Sequence, residues 1–152
     1  MTRPAVDRPR VYADGSALSR YLAGAPGGDQ WRAWADEHEA DLVVSPLSLT
    51  ELRGTARWRD RTARDVAQSV GERLELVRFS DQAILRATDV ASVLPPFTAL
   101  HLGTALAHRD VTTVATYEVH LARVAALHGL VVLSPGRPER WWERDTTPWV
   151  RG

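Results

Sequence analysis

The chain has 152 residues, nineteen basic and nineteen acidic side chains, a formal net charge of zero and no cysteine. A chain of this length makes one domain whose core needs no staples, and the missing cysteine excludes disulfides, thiolate metal sites and cysteine nucleophiles. Every basic residue is arginine, so a Walker A phosphate loop, Schiff-base chemistry and any step needing a lysine ammonium are excluded, while zero net charge means that a nucleic-acid partner must be held by local patches.

Residues 1–9 hold two prolines and no periodicity, and read as a poorly ordered lead-in. Neither an apolar signal segment nor a stretch of membrane-spanning length occurs, so a cytoplasmic protein with no membrane partner is expected. Val11, Tyr12 and Ala13 form the first buried strand, ending in Asp14. Gly15 permits a sharp turn, and Ser16 opens an amphipathic helix carrying Ala17, Leu18, Tyr21 and Leu22. Asp14 can cap that helix, or it can serve a site, because the carboxyl end of a parallel strand is where open α/β sheets place their ligand crevice.

A Gly/Pro break at 23–28 precedes a helix over Gln30–Ala40, with Trp31, Trp34 and Ala35 on one face, and then a second strand, Leu42–Val44. Ser45-Pro46 starts the next helix, serine as cap and proline in the first turn. Along it Leu49, Leu52 and Ala56 make an apolar stripe, and Ser48, Glu51 and Thr55 a separate polar one. Arg57–Val70 reads as a charged continuation, Leu74–Phe79 as a third strand, and Ser80–Val93 as a helix ended by Leu94-Pro95-Pro96. A helix over Phe97–His108 follows, its Ala99 and Gly103 suited to close packing and its Thr98, His101 and His108 on a second face. Val111–Ala115 is a fourth strand, and Thr116-Tyr117-Glu118 leads into a helix reaching His128. Gly129 ends that helix and Val131–Leu133 is the fifth strand. Alternating strands and helices argue for a parallel sheet covered on both faces.

The composition changes at residue 136. The last seventeen residues hold three of the six tryptophans and four arginines. Such interleaving can bind single-stranded nucleic acid by stacking and charge, but Glu139, Glu143 and Asp145 nearly cancel the arginines. That balance favours tryptophans folded back on the domain or onto a second subunit.

Three acids recur at equivalent places: Asp14 after the first strand, Glu51 inside the helix after the second, and Glu118 past the fourth. If the halves of the sheet wind outward from a central first strand, these positions converge over one crevice. Crowded carboxylates hold their protons more tightly unless a cation compensates, and oxygen ligands of this kind suit Mg²⁺ or Mn²⁺. Taken singly, Glu51 is an ordinary solvated helix acid, Glu118 complements a helix dipole, and His101 is a packed histidine.

Taken together, five segments in order resemble a known family. V-Y-A-D-G-S-A-L-S-R-Y-L resembles the opening of PIN-domain ribonucleases, in particular the VapC toxins of bacterial toxin–antitoxin pairs, and S-P-L-S-L-T-E-L-R their second motif, with Glu51 as its acid. F-T-A-L-H-L-G-T-A-L and V-A-T-Y-E-V-H-L-A-R-V-A are similar to the family's later segments, and H-G-L-V-V-L-S-P to its closing strand. The resemblance covers residues 10–135, leaving 1–9 as lead-in and 136–152 as a tail. It implies a three-layer α/β sandwich with a five-stranded parallel sheet, metal-dependent RNA cleavage with Mg²⁺ or Mn²⁺, a homodimer, and neutralisation by a cognate antitoxin. The family's third acid falls on Thr98 and its fourth on Glu118. The resemblance therefore implies Asp14 and Glu51 as principal metal ligands, and Glu118 as a further ligand or as the group orienting the attacking water. Ser16 and Thr116 would hold hydrogen bonds behind the ligands, Thr98 could hold a metal-bound water, and His101 stands one turn from Thr98. The alternative, raised by Thr98, is a catalytically impaired PIN fold that binds RNA or an antitoxin. Phosphatase or phosphoacceptor chemistry on Asp14 is disfavoured, since residue 16 is serine and no lysine completes such a site.

Overall fold

A computed structural model describes residues 6–149. Residues 1–5 of the lead-in and 150–152 of the tail lie outside them. Strands β1 (Arg10–Ala13), β2 (Leu42–Val44), β3 (Glu75–Leu76), β4 (Val111–Ala115) and β5 (Val131–Leu133) form one five-stranded sheet in the order β3-β2-β1-β4-β5. Every neighbouring pair is parallel. The sheet therefore winds outward in both directions from β1, and the switch point falls at the carboxyl end of that strand, where Asp14 stands.

Helices α1 (Gly15–Leu18), α2 (Gly28–His38), α3 (Pro46–Arg57) and α4 (Arg61–Arg73) lie on one face. Helices α5 (Asp81–Val90), α6 (Pro96–Ala107) and α7 (Val119–Leu127) lie on the other, and a short α8 (Trp141–Arg144) follows. The period-two alternation of strands explains the two cores. Ala13, Leu42, Val44 and Ala115 pack with Leu18, Trp31, Leu52 and Val70, whereas Tyr12, Val43 and Val114 pack with Leu102, Leu121 and Val124. Gly103 is needed where α6 meets α5, since a Cβ there would stand 2.4 Å from the Ala83 carbonyl oxygen. Among the described residues no helix is long and apolar enough to cross a membrane.

Three expectations need correction. Arg57–Val70 is not a continuation of α3: that helix stops at Arg57, and Asp60 caps a separate α4 by accepting from the Ala63 N–H at 2.8 Å. The third strand is two residues long rather than six, because β3 is an edge with one neighbour, and both its residues are exposed. The helix expected over Ser80–Val93 spans Asp81–Val90, with Ser80 as its cap.

The tail folds back on α7. Trp141 is buried, Trp142 half-buried and Trp149 half exposed. Arg123 of α7 anchors this segment: its guanidinium donates to the carbonyls of Trp142 (3.3 Å), Asp145 (2.9 Å) and Thr147 (2.7 Å) and lies over the Trp149 ring. Arg123→Met keeps aliphatic bulk but strips three carbonyls of their donor. A loss of about 2–3 kcal/mol is expected, a fall of the melting midpoint by roughly 4–12 °C, with faster tryptic cutting after Arg140 and Arg144. An unchanged midpoint and digestion pattern would show that the tail is anchored elsewhere.

Candidate functional site

Asp14 leaves the sheet in an extended conformation and caps α1. Its Oδ1 accepts from the Ala17 N–H at 2.9 Å and the Ser16 hydroxyl at 2.7 Å, and its Oδ2 from the Thr116 hydroxyl at 2.6 Å. Thr116 Oγ1 in turn accepts from the Glu118 N–H (3.0 Å), and Ser16 Oγ from the Tyr117 N–H (2.8 Å). The ends of β1 and β4 are thereby tied through one carboxylate. The capping role and the buried-acid role coexist in Asp14, which is 4% exposed. Burial pushes its carboxyl above the ordinary value, against the pull of charge on His101 and of the hydrogen bonds from Thr116, Ser16 and Ala17.

Glu51 reaches the same end of the sheet from α3. The Ser45 cap fixes this helix: Ser45 Oγ accepts from the Ser48 N–H and Ser48 Oγ from the Ser45 N–H, both at 3.2 Å, with Pro46 in the first turn. Glu51 Oε1 accepts from the Gly15 N–H at 3.1 Å and lies 2.5 Å from His101 Nε2. Gly15 makes this approach possible. It does not use a positive φ, so its purpose is space rather than turning. A Cβ at residue 15 would stand 2.2 Å from Glu51 Cβ and 2.6 Å from Oε1.

His101, 3% exposed, is held from behind by Tyr12, whose hydroxyl lies 2.6 Å from Nδ1. The same hydroxyl is 2.8 Å from Ser45 Oγ, and Ser48 Oγ donates to the Ala13 carbonyl at 2.7 Å. Burial drives the Tyr12 hydroxyl far above its ordinary value, so it stays protonated. A carboxylate–imidazole–phenol line thus runs from Glu51 into the core. Sequence reasoning assigned Tyr12 to the strand and Ser45 to a cap only. The available signal was the period-two alternation, which turns Tyr12 away from Ala13 and toward the α6 side.

Glu118 and Thr98 are placed differently. Glu118 caps α7, its Oε1 accepting from the His120 N–H (3.1 Å) and its Oε2 from the Leu121 N–H (2.7 Å). Thr98 is half-buried in the first turn of α6, and its side chain makes no hydrogen bond among the described residues. Among those residues no three His, Asp or Glu side chains are gathered as a metal-holding set. Two carboxylates at this end of the sheet fit a divalent ion: Asp14, with lone pairs beyond its three hydrogen bonds, and Glu51, whose Oε2 has no hydrogen-bond partner among the described residues. Glu118 also keeps lone pairs beyond its two cap bonds but is not gathered with them.

The chain matches the PIN domain family over residues 11–127. It belongs to the PIN-domain family. Comparison with curated proteins gives no significant match. Among solved structures it is similar to FitAcB from Neisseria gonorrhoeae, with a TM-score of 0.64 at 18% identity, covering 82% of this chain and 97% of that one. It is similar also to DNA-bound VapBC from Salmonella typhimurium, with a TM-score of 0.59, 18% identity and coverage of 82% and 97%. VapBC2 from Rickettsia felis, bound to a promoter DNA fragment, gives 0.58 and 16%, with coverage of 81% and 97%. At these identities the likeness is one of fold, and the PIN domain's three-layer α/β architecture is the one found here.

Proposed function

We propose that this PIN domain is a metal-dependent endoribonuclease of the VapC toxin type, cutting RNA and neutralised by a cognate antitoxin. The observation that carries the reading is the seating of the Glu51 carboxylate on the N–H of Gly15, the residue after Asp14 at the switch point of the sheet, where only a glycine leaves Glu51 room to approach. These two carboxylates would hold Mg²⁺ or Mn²⁺. Once bound, such an ion polarises a phosphodiester and makes hydroxide available near neutral pH. Ser16 and Thr116 fix the rotamer of Asp14, and His101, backed by Tyr12, fixes that of Glu51. Glu118 would be a further ligand, or orient the attacking water, through the lone pairs that its two α7 cap bonds leave or by a change of rotamer. The antitoxin enters through the resemblance to the VapC toxins of toxin–antitoxin pairs, and DNA-bound VapBC from Salmonella typhimurium is among the structures with the same fold. A homodimer is supported by exposed apolar side chains on α5 and its flanks, namely Phe79, Ile84, Leu85, Val93 and Phe97.

A second reading, a PIN fold that binds RNA or an antitoxin without cutting, is favoured by the neutral Thr98 and by Glu118 not being gathered with Asp14 and Glu51 among the described residues. End-labelled single-stranded RNA incubated with the protein separates the two. The nuclease reading expects cleavage in Mn²⁺ or Mg²⁺, none in chelator, and none after Glu51→Gln. RNA retained intact in every metal, yet bound, decides for the second reading.

A further inference from the structure

We propose that the hollow between Arg20, Tyr117 and Arg137 is a phosphate subsite that grips the RNA backbone beside the Asp14 crevice; the inference rests on RNA being the ligand, as argued above. The hollow has a volume of about 320 Å³ and joins the 3-10 turn Ser19–Tyr21 that follows α1 to the start of the tail. Gly27 (φ +71°) and Gly136 (φ +90°) close one wall, and a Cβ on Gly136 would come within 3.3 Å of Gly27 Cα. The Tyr117 N–H binds Ser16 Oγ, and Ser16 binds Asp14. Two hydrogen bonds therefore link the hollow to the buried acid.

Its electrostatics call for an anion. Arg20 lies over the Tyr117 ring, 4.2 Å from the centroid, with its Nε buried and without a hydrogen-bond partner among the described residues. Neither Arg20 nor Arg137 forms an ion pair among those residues. Burial lowers the Arg20 pKa and the like charge of Arg137 lowers it further, against the opposite pull of Tyr117 and of the Asp14 carboxylate. The two cations therefore feel each other, and no carboxylate among the described residues pairs with either. The buried Nε is out of a ligand's reach, but the Nη donors of Arg20 and the guanidinium of Arg137 are engaged by no hydrogen bond or ion pair among the described residues, and two such neighbouring forks fit the oxygens of a phosphodiester. In a chain of zero net charge, such a local patch is where an RNA strand can be held.

The contact is to the backbone and not to bases. Arg20 already covers the Tyr117 face, and Arg137 lies 5.0 Å from the Trp141 ring centroid. Both rings that could have stacked a base are occupied by the protein's own cations. A phosphate grip positions the strand without reading its sequence.

The test is binding of short labelled single-stranded RNAs in chelator, where cleavage cannot interfere, across a salt series. Arg137 is exposed, so Arg137→Gln should fold normally, and Arg20→Gln is the companion variant. Each should weaken binding about five- to tenfold and flatten the slope of log K against log salt by about 0.7, for two RNAs of unlike sequence alike. Unchanged affinity and slope in Arg137→Gln, a loss confined to one RNA sequence, or a wild-type protein that does not bind RNA overturns the subsite. If Arg20→Gln does not fold, Arg137→Gln decides alone. Binding with the stated losses but no cleavage in Mn²⁺ removes the nuclease and leaves the subsite standing. Cleavage that depends on Asp14 while both arginine variants bind as wild type removes the subsite and leaves the nuclease.

Discussion

Asp14→Asn is expected to abolish RNA cleavage, on the order of a thousandfold or more, and to raise the melting midpoint in chelator. Asparagine preserves the local bonding. Its amide oxygen can accept from the Ala17 N–H and the Ser16 hydroxyl as Oδ1 does. Its NH₂ group meets Thr116 Oγ1, which can accept there and turn its own proton toward Ser16 Oγ, 3.3 Å away. What disappears is a buried charge. Burial holds the folded Asp14 carboxyl above its unfolded value, so the folded state binds its proton more tightly. The resulting cost is absent below the ordinary carboxylate range, grows as pH rises from there through the raised value, and is constant above it. The wild-type midpoint in chelator should therefore fall across that window more than the variant's does. At neutral pH the variant should melt several degrees higher, about 1 kcal/mol corresponding to roughly 2–4 °C at this chain length. Mn²⁺ should reverse the order, because a ligand that binds only the folded state stabilises by mass action and the neutral amide no longer attracts it. Undiminished cleavage by the variant would place the activity elsewhere. A lower midpoint in chelator would mean that the cap outweighs the charge.

The parts of the fold that depend on local periodicity were legible in the sequence, and those that depend on rotamers or edges were not. Strand β1, the turn at Asp14, the Ser45-Pro46 cap and the placement of the sheet halves about β1 all follow from residue types at fixed spacing. The break between α3 and α4 was hidden because Arg57 to Asp60 is polar throughout save for Trp58, and only the Asp60 cap marks the restart. Glu118 shows a deeper limit. Its position near Thr116 was foreseeable, but a spacing argument cannot say whether a carboxylate points into a crevice or back onto its own helix. The Tyr12–His101 contact joins residues 89 apart in the chain. It became visible only once α6 was laid on the face of β1 that Tyr12 occupies. Arg123 was passed over for a similar reason: inside an apolar helix it reads as a solvated charge, whereas it is 9% exposed and binds the tail.

Thr98→Asp should tighten Mn²⁺ binding by roughly ten- to a hundredfold, each factor of ten being about 1.4 kcal/mol. The two carboxylates available to an ion, on Asp14 and Glu51, match its charge but fill only part of an octahedral shell of oxygen ligands, and Glu118 is turned to its own helix. Thr98 stands one turn before His101, whose Nε2 holds Glu51, so a carboxylate at residue 98 adds charge on a helix already in place. A well-placed carboxylate near a divalent ion contributes on the order of a few kcal/mol in a partly screened site. In chelator two effects oppose each other. An acid in the first turn of α6 gains about 0.3–1 kcal/mol from the helix dipole, while repulsion from Asp14 and Glu51 removes a similar amount. The midpoint in chelator should accordingly move by no more than about 2 °C, whereas in Mn²⁺ it should rise well above that of the wild type. Isothermal titration and paired melting curves measure both quantities. A variant whose Mn²⁺ affinity and metal-dependent melting shift equal those of the wild type would show that residue 98 does not face the ion, and that the start of α6 takes no part in the site.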